Sequence, residues 1–434
     1  MEILNYPSDT AQKKINAIIN RGIEFDEKAV TNVKHIIDDV RTNGDSALIN
    51  YVNRFDSPDL KIESLKVSDN EFEDALKNVD KKFIRSLERA AGQIESFHKK
   101  QVRKSWIDTD RPGTILGQMF NPVDAAGIYV PGGQGGNTPL ISSVLMCAIP
   151  AKIAGVKRIS MVTPPTKQGK VNPYMLAAAR RVGIDTIYKL GSAWAIAALA
   201  YGTETVHKCD VIAGPGNIYV AIAKKIVSGT VGIDMIAGPS EVLVIADKSA
   251  NPEYTAADLL SQAEHDILAS AILVTDSSEV AENVKKALEK QLEKLSRKDI
   301  ARQSLKNYGA IMLAVNIDAA IDLANIIAPE HLELHIKEPF EHIGKIRNAG
   351  AVFMGSYTPE PVGDYIAGPN HVLPTAGTAR FSSALSVDNF IKKTSLIHYS
   401  KTAFEREAED IIHLAGIEGL DAHANSVKIR LKNK

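Results

Sequence analysis

The sequence predicts an α/β fold of parallel strands joined by crossover helices. Three observations predict it. Eight short β-rich runs alternate with helical stretches between Gly127 and Gly355, the pattern of βαβ units. The runs are continuous in Val, Ile and Leu rather than alternating with polar residues, which suits a sheet covered on both faces. Glycine-rich turns follow several of them, as strand-to-helix turns in such sheets require.

The first hundred residues read as helical, because residues 29–55 and 80–102 carry apolar side chains at three- and four-residue spacings. After Pro112 the β-rich runs begin: GIYV (127–130), RISMVTP (158–164), DTIYKLG (185–191), DVIAGPG (210–216), EVLVIAD (241–247), AILVTD (271–276), AIMLAV (310–315) and AVFMG (351–355). AGPSE (237–241) separates the fourth from the fifth and marks a boundary, so one large sheet and two smaller ones both fit. Residues 357–380 are loop-like, and the last fifty residues read as helical again.

Lys and Arg number 51 against 52 Asp and Glu, a net charge of -1. That balance gives no long-range attraction for nucleic acid or an anionic membrane. Two cysteines, Cys147 and Cys209, are too few for a disulfide framework or a thiolate zinc cage. The start MEILNYPSDT lacks the basic-then-apolar order of a signal peptide. Residues 140–156, the most apolar stretch, are too short to span a bilayer and are broken by Pro150 and Lys152. A cytoplasmic protein is expected.

No G-x-G-x-x-G follows a strand and no P-loop is present. PGGQGGN (131–137), GSAWA (191–195) and GPGN (214–217) instead close strands just before helices, where amide groups can hold phosphate or simply make tight turns. Gln262 and His265 in SQAEHD share a face if that stretch is helical, as metal ligands or as a polar helix end. Asp364 and His371 lie among glycines in PVGDYIAGPNH; Glu418 and His423 lie near the end. Spacing alone does not link these positions. Glu330 and His331 follow Pro329 in APEHLELHI, whose Leu332, Leu334 and Ile336 read as a half-buried strand. A Glu beside a neutral His is a proton-transfer pair near pH 7. Both face one cavity only if the backbone turns at the strand entrance, which Pro329 permits.

These segments, with SSVLMCAIPAKIAGV, AIAALAYGTE, GPGNIYVAIAKK, DMIAGPSEVLVIAD and GLDAHANSV, resemble the L-histidinol dehydrogenase family from about residue 113 to the end. The resemblance implies two Rossmann-like parallel-sheet domains with small helical terminal extensions, in an intertwined homodimer. The expected divisions are 1–25, an N-terminal extension; 26–126 with 242–384, the larger domain; 127–241, the cofactor domain; and 385–434, a C-terminal extension.

It also implies two sequential NAD-dependent oxidations, alcohol to aldehyde to carboxylate, at one zinc site. The zinc ligands would be Gln262, His265, Asp364 and His423. His331 would take the alcohol proton and assist the second oxidation, and Glu330 would activate water. Ser240, His371 and Glu418 correspond to substrate contacts, alongside His331 and the four metal ligands. Tyr129 and Asn217 correspond to NAD contacts. Glu418 and His423 would reach the partner's site. Two segments depart from the family: GSAWA has Trp194 where the family carries an NAD-contacting Gln, and the turn after PGG is longer.

A dehydrogenase of another small polar alcohol, such as a sulfonated one, is the alternative within the fold. Glu418 and His371 favour an imidazole substrate, since a sulfonate would call for Arg or Lys. A non-catalytic ligand-binding relative is the second alternative, and the intact Glu330–His331 pair and ligand set argue against it.

Overall fold

All eight β-rich runs are strands in the computed structural model, which describes residues 1–21, 25–132 and 139–432. In chain order the strands are β1 (Ile3–Tyr6), β2 (Trp106–Asp108), β3 (Thr114–Pro122), β4 (Ala125–Tyr129), β5 (Arg158–Thr163), β6 (Thr186–Lys189), β7 (Val211–Ala213), β8 (Gly232–Ile233), β9 (Glu241–Ala246), β10 (Ser270–Thr275), β11 (Ala310–Ala314), β12 (His331–His335), β13 (Ala351–Met354) and β14 (Ile391–Tyr399).

Two parallel sheets lie in one compact unit, residues 1–101 with 124–390. One is five-stranded, in the order β6-β5-β4-β7-β8; the other is six-stranded, β1-β11-β10-β9-β12-β13. Their central strands are buried at every position, as in EVLVIA of β9 and SAILVT of β10, which accounts for their continuous apolar runs. A second unit, residues 102–123 with 391–434, holds the antiparallel sheet β14-β3-β2 and the helices Lys401–Ile417 and Asp421–Lys432.

Three readings are corrected. β1 lies in the stretch read as helical; it is a four-residue edge strand defined by pairing with β11, a tertiary contact without a local signature. β14 likewise lies in the stretch read as helical, where pairing with β3 along nine residues sets it. β12 is buried throughout rather than half-buried. It runs between β9 and β13, and its polar face meets other buried polar groups rather than water.

The register of β12 sets the neighbours of Glu330 and His331. His331 pairs with Val242, so Glu330 stands beside Glu241 at the amino ends of both strands. The backbone turns into β12 at Ala328, a non-glycine residue with φ of 54° that ends the helix Ile317–Ile327. Pro329 comes next. Gly350 packs against this turn, and a Cβ there would lie 2.5 Å from the Glu330 carbonyl oxygen.

Candidate active site

Glu330 and His331 sit at the amino edge of the six-stranded sheet. Glu330 and His331 are both almost fully buried. The N–H of Glu241 donates to Glu330 Oε2 at 2.9 Å, and the N–H of Glu330 donates to Glu241 Oε2 at 3.2 Å. His331 Nδ1 lies 2.9 Å from the Glu241 carbonyl oxygen. A carbonyl only accepts, so Nδ1 carries the proton and Nε2 keeps a lone pair. Burial holds the His331 imidazole below its ordinary pKa, against the Glu241 carbonyl and the charges of Asp364 and Glu333. Burial pushes the Glu330 carboxyl well above the usual carboxylate range; the Glu241 N–H opposes this, and the charges of Glu241, Asp364 and Glu360 add to it. A neutral imidazole therefore stands beside a carboxyl whose ionised form is a stronger base than an ordinary carboxylate.

A polar cluster adjoins His331. Single ligating atoms of His331, Glu360 and Asp364 lie within 4.8 Å of one another. Burial and then the Asp364 charge push Glu360 up to about 9. Burial also acts to raise Asp364, yet His371, His331 and the Glu360 side chain together hold it below its ordinary value. The Asp364 carboxylate thus stays ionised beside a protonated Glu360. His371 Nδ1 is 3.5 Å from Asp364 Oδ1. His331, Asp364 and His371 line a cleft of about 770 Å³; a smaller cavity beside it is lined by Ser240, Glu330 and again His371.

Gln262 and His265 close the helix Pro252–Ala263, which Asn251 caps at its start by accepting from the N–H of Glu253. Gln262 is in the last turn, 1% exposed, and His265 follows the helix end. His265 is near enough to His331 to act on its charge. The Oε1 of Gln262 is buried without a hydrogen-bond partner, as is the Nε2 of His371. Such orphaned acceptors are unfavourable unless a bound group completes them. Neutral amide oxygen, imidazole and one carboxylate, with no thiolate, form a donor set that suits zinc or a similar divalent ion. The residues present fit the group.

Glu418 and His423 belong to the second unit, where both are exposed. Glu418 caps the C-terminal end of the helix Lys401–Ile417, and His423 is in the first turns of the next helix. Within the first unit the fold gathers Ser240, Glu330, His331, Asp364 and His371 around adjoining cavities, with His265 near His331. Sequence reasoning passed over Glu241, Glu360 and Arg21. Glu360 had a faint signal, a carboxylate four residues before Asp364 in PEPVGD.

Tyr129 and Asn217 lie at the opposite kind of edge, the carboxyl ends of the five-stranded sheet. Tyr129 Oη accepts from the Ser192 N–H at 3.1 Å. Asn217 caps the helix Ile218–Val227, its side chain accepting from the N–H groups of Tyr219 and Val220. Gly214, with φ of +128°, lets the GPGN turn press on Tyr129, where a Cβ would lie 2.0 Å from the Tyr129 carbonyl oxygen. Trp194 is not a surface ring at this edge. It is buried and stacked on Tyr51 and Phe55, with centroids 5.7 and 5.6 Å apart. The longer turn after PGG falls largely on residues 133–138, outside the described residues. No helix among the described residues is long and apolar enough to cross a membrane.

A family model described as histidinol dehydrogenase matches residues 19–431. The chain is 53% identical to a histidinol dehydrogenase of Desulfotalea psychrophila, covering 98% of each chain. It is 54% identical to one of Oleidesulfovibrio alaskensis, covering 99% of each. A crystal structure of histidinol dehydrogenase from Elizabethkingia anophelis superposes with a TM-score of 0.92 at 40% identity, over 100% of this chain and 98% of the other.

Proposed function

The chain belongs to the histidinol dehydrogenase family, and on that premise we propose that it oxidises L-histidinol to L-histidine through a bound aldehyde, in the last step of histidine biosynthesis. Two NAD would be reduced for each substrate, and Gln262, His265, Asp364 and His423 would hold a zinc ion that anchors the substrate. The observation that carries this reading is the His331 ring: Nδ1 is tied to the Glu241 carbonyl, which leaves Nε2 as the base, and the ring is clustered with Asp364 and Glu360.

The metal would supply a fixed positive charge that orients the substrate, and NAD would be the oxidant that accepts a hydride from the substrate carbon in each of the two oxidations. The protein's own residues move the protons. His331 Nε2 takes the hydroxyl proton as the alcohol becomes aldehyde. Glu330 takes a proton from water as its oxygen adds to the aldehyde carbon, and the proton held on His331 passes to the former carbonyl oxygen, giving the hydrate and returning His331 to its neutral form. His331, relieved of its first proton, takes a hydroxyl proton from the hydrate as the acid forms. Burial of both residues keeps bulk water away from the reactive aldehyde. His371 and Ser240 contact the substrate. Tyr129 and Asn217 hold the dinucleotide at the edge of the five-stranded sheet. Glu418 and His423 complete the site across a homodimer, with Glu418 accepting an imidazole N–H.

A substrate panel tests the reading. With NAD in excess, L-histidinol is expected to be oxidised with kcat/KM at least about 100-fold above that of a sulfonated or neutral alcohol of similar size, as loss of one charged polar contact implies. Equal or better turnover of a sulfonated alcohol would transfer the assignment to that substrate.

A further inference from the structure

Arg21 joins the start of the chain to the acid–base pair. Its guanidinium is buried, with 2% of the side chain exposed. Nη2 donates to Glu241 Oε1 at 3.1 Å, across 220 residues of sequence. Nη1 donates to the Ile18 carbonyl at 2.7 Å and Nε to the Leu268 carbonyl at 2.8 Å, so the side chain is fixed on three sides. Glu241 Oε1 also accepts from the Ala376 N–H at 3.1 Å.

Glu241 therefore meets the acid–base pair through three of its own groups. Its N–H holds the Glu330 carboxylate, its Oε2 holds the Glu330 N–H, and its carbonyl holds the His331 ring. Strand pairing alone needs no carboxylate here. A buried carboxylate 5% exposed is unfavourable unless a partner charge and donors compensate it. Arg21 supplies the charge and two backbone N–H groups supply donors. A hydrophobic residue would fill the same space without that network, so the network's product is geometry: Glu330 and His331 each have one defined orientation.

We propose that Arg21 and Glu241 are a positioning pair for the proton-transfer residues, in which Arg21 holds the Glu241 side chain and that side chain, by accepting from the Glu330 N–H, fixes the backbone from which the Glu330 carboxyl and the His331 ring project. This rests on the reading of Glu330 as the water-activating group. The side chain of Glu241 bears on the Glu330 N–H, whereas the Glu330 carboxyl and the His331 ring are held by the Glu241 N–H and carbonyl. Side-chain substitution therefore loosens the backbone at Glu330 and slows both proton-transfer steps.

The test compares metal-loaded wild type with Glu241→Gln, Arg21→Lys, Arg21→Met and the Arg21→Met/Glu241→Gln double variant. KM for histidinol and kcat are measured for each from the NADH formed. In Glu241→Gln, kcat is expected to fall about 10- to 100-fold with KM little changed, as for loss of a side chain that orients a reacting group. Arg21→Lys, which keeps the charge but not the planar fork, should show the same signature more weakly. The double variant should be no worse than the worse single, because the two residues act as one unit. A folded Glu241→Gln protein with wild-type kcat overturns the proposal, even if its melting temperature falls. If that variant does not fold, Arg21→Lys decides, and wild-type kcat there overturns it. A wild type that makes no NADH from histidinol overturns the functional reading beneath it instead.

Discussion

His371 turns Nδ1 toward Asp364, 3.5 Å from Oδ1, and leaves its buried Nε2 without a hydrogen-bond partner at the junction of two cavities. One ring nitrogen is thus engaged and the other is open to a ligand. His371→Phe is expected to raise KM for histidinol about tenfold or more while lowering kcat less, the cost of one polar contact to substrate. Steady-state kinetics check this; an unchanged KM would remove His371 from the substrate contacts.

The orphaned Oε1 of Gln262 makes a prediction about metal and stability together. Gln262→Leu is expected to weaken zinc binding at least about tenfold, measured by competition with a chelating dye. Without metal, the variant should melt no lower than wild type, because a buried amide with an unmet acceptor has been removed. Zinc should raise the melting temperature of wild type but much less that of the variant.

Glu360, held protonated near neutral pH, supports the Asp364 carboxylate. Glu360→Gln keeps a donor and should retain most zinc affinity. Glu360→Ala loses it and should bind zinc about 10- to 100-fold more weakly. Similar affinities in the two variants would show that donation from position 360 is immaterial.

Asp56 offers a pH test outside the acid–base cluster. It caps the helix Glu27–Phe55 beside Gly191, and burial pushes its carboxyl up to about 7. Its folded pKa exceeds the unfolded value, so stability is greatest while the group is protonated and falls as pH rises from about 4 to about 7. Asp56→Asn should remove that loss. Discounted for solvent screening of a partly exposed group, the gain is on the order of 2–3 kcal/mol at pH 8.5 and markedly smaller at pH 5. Denaturant melts at the two pH values check it, and an equal gain at both would contradict it.

Much of the fold was legible because buried parallel strands leave runs such as EVLVIA and AIMLA in the sequence. β1 and β14 were not, since each owes its conformation to a strand far away in the chain. The polar face of β12 read as solvent-facing because His331, Glu333 and His335 alternate with leucines, yet their partners Glu360, Asp364 and Asp258 come from other elements. The Glu330–His331 pair was visible as a chemical type. Its setting was not: the pairing of Glu330 with Glu241, and the reach of Arg21 from just beyond the helix Asp9–Ile19, depend on register and docking. The pair also stands at the amino edge of its sheet, whereas the glycine-rich turns that sequence reasoning favoured stand at the carboxyl edge of the other.

The central claim is a four-electron oxidation completed on one bound substrate. Its most direct test is stoichiometric: zinc-loaded protein, limiting L-histidinol and excess NAD, with NADH and product counted at completion. Two NADH per histidinol, with L-histidine as product, is the predicted result. No NADH, or one NADH with the aldehyde accumulating in solution, would contradict it.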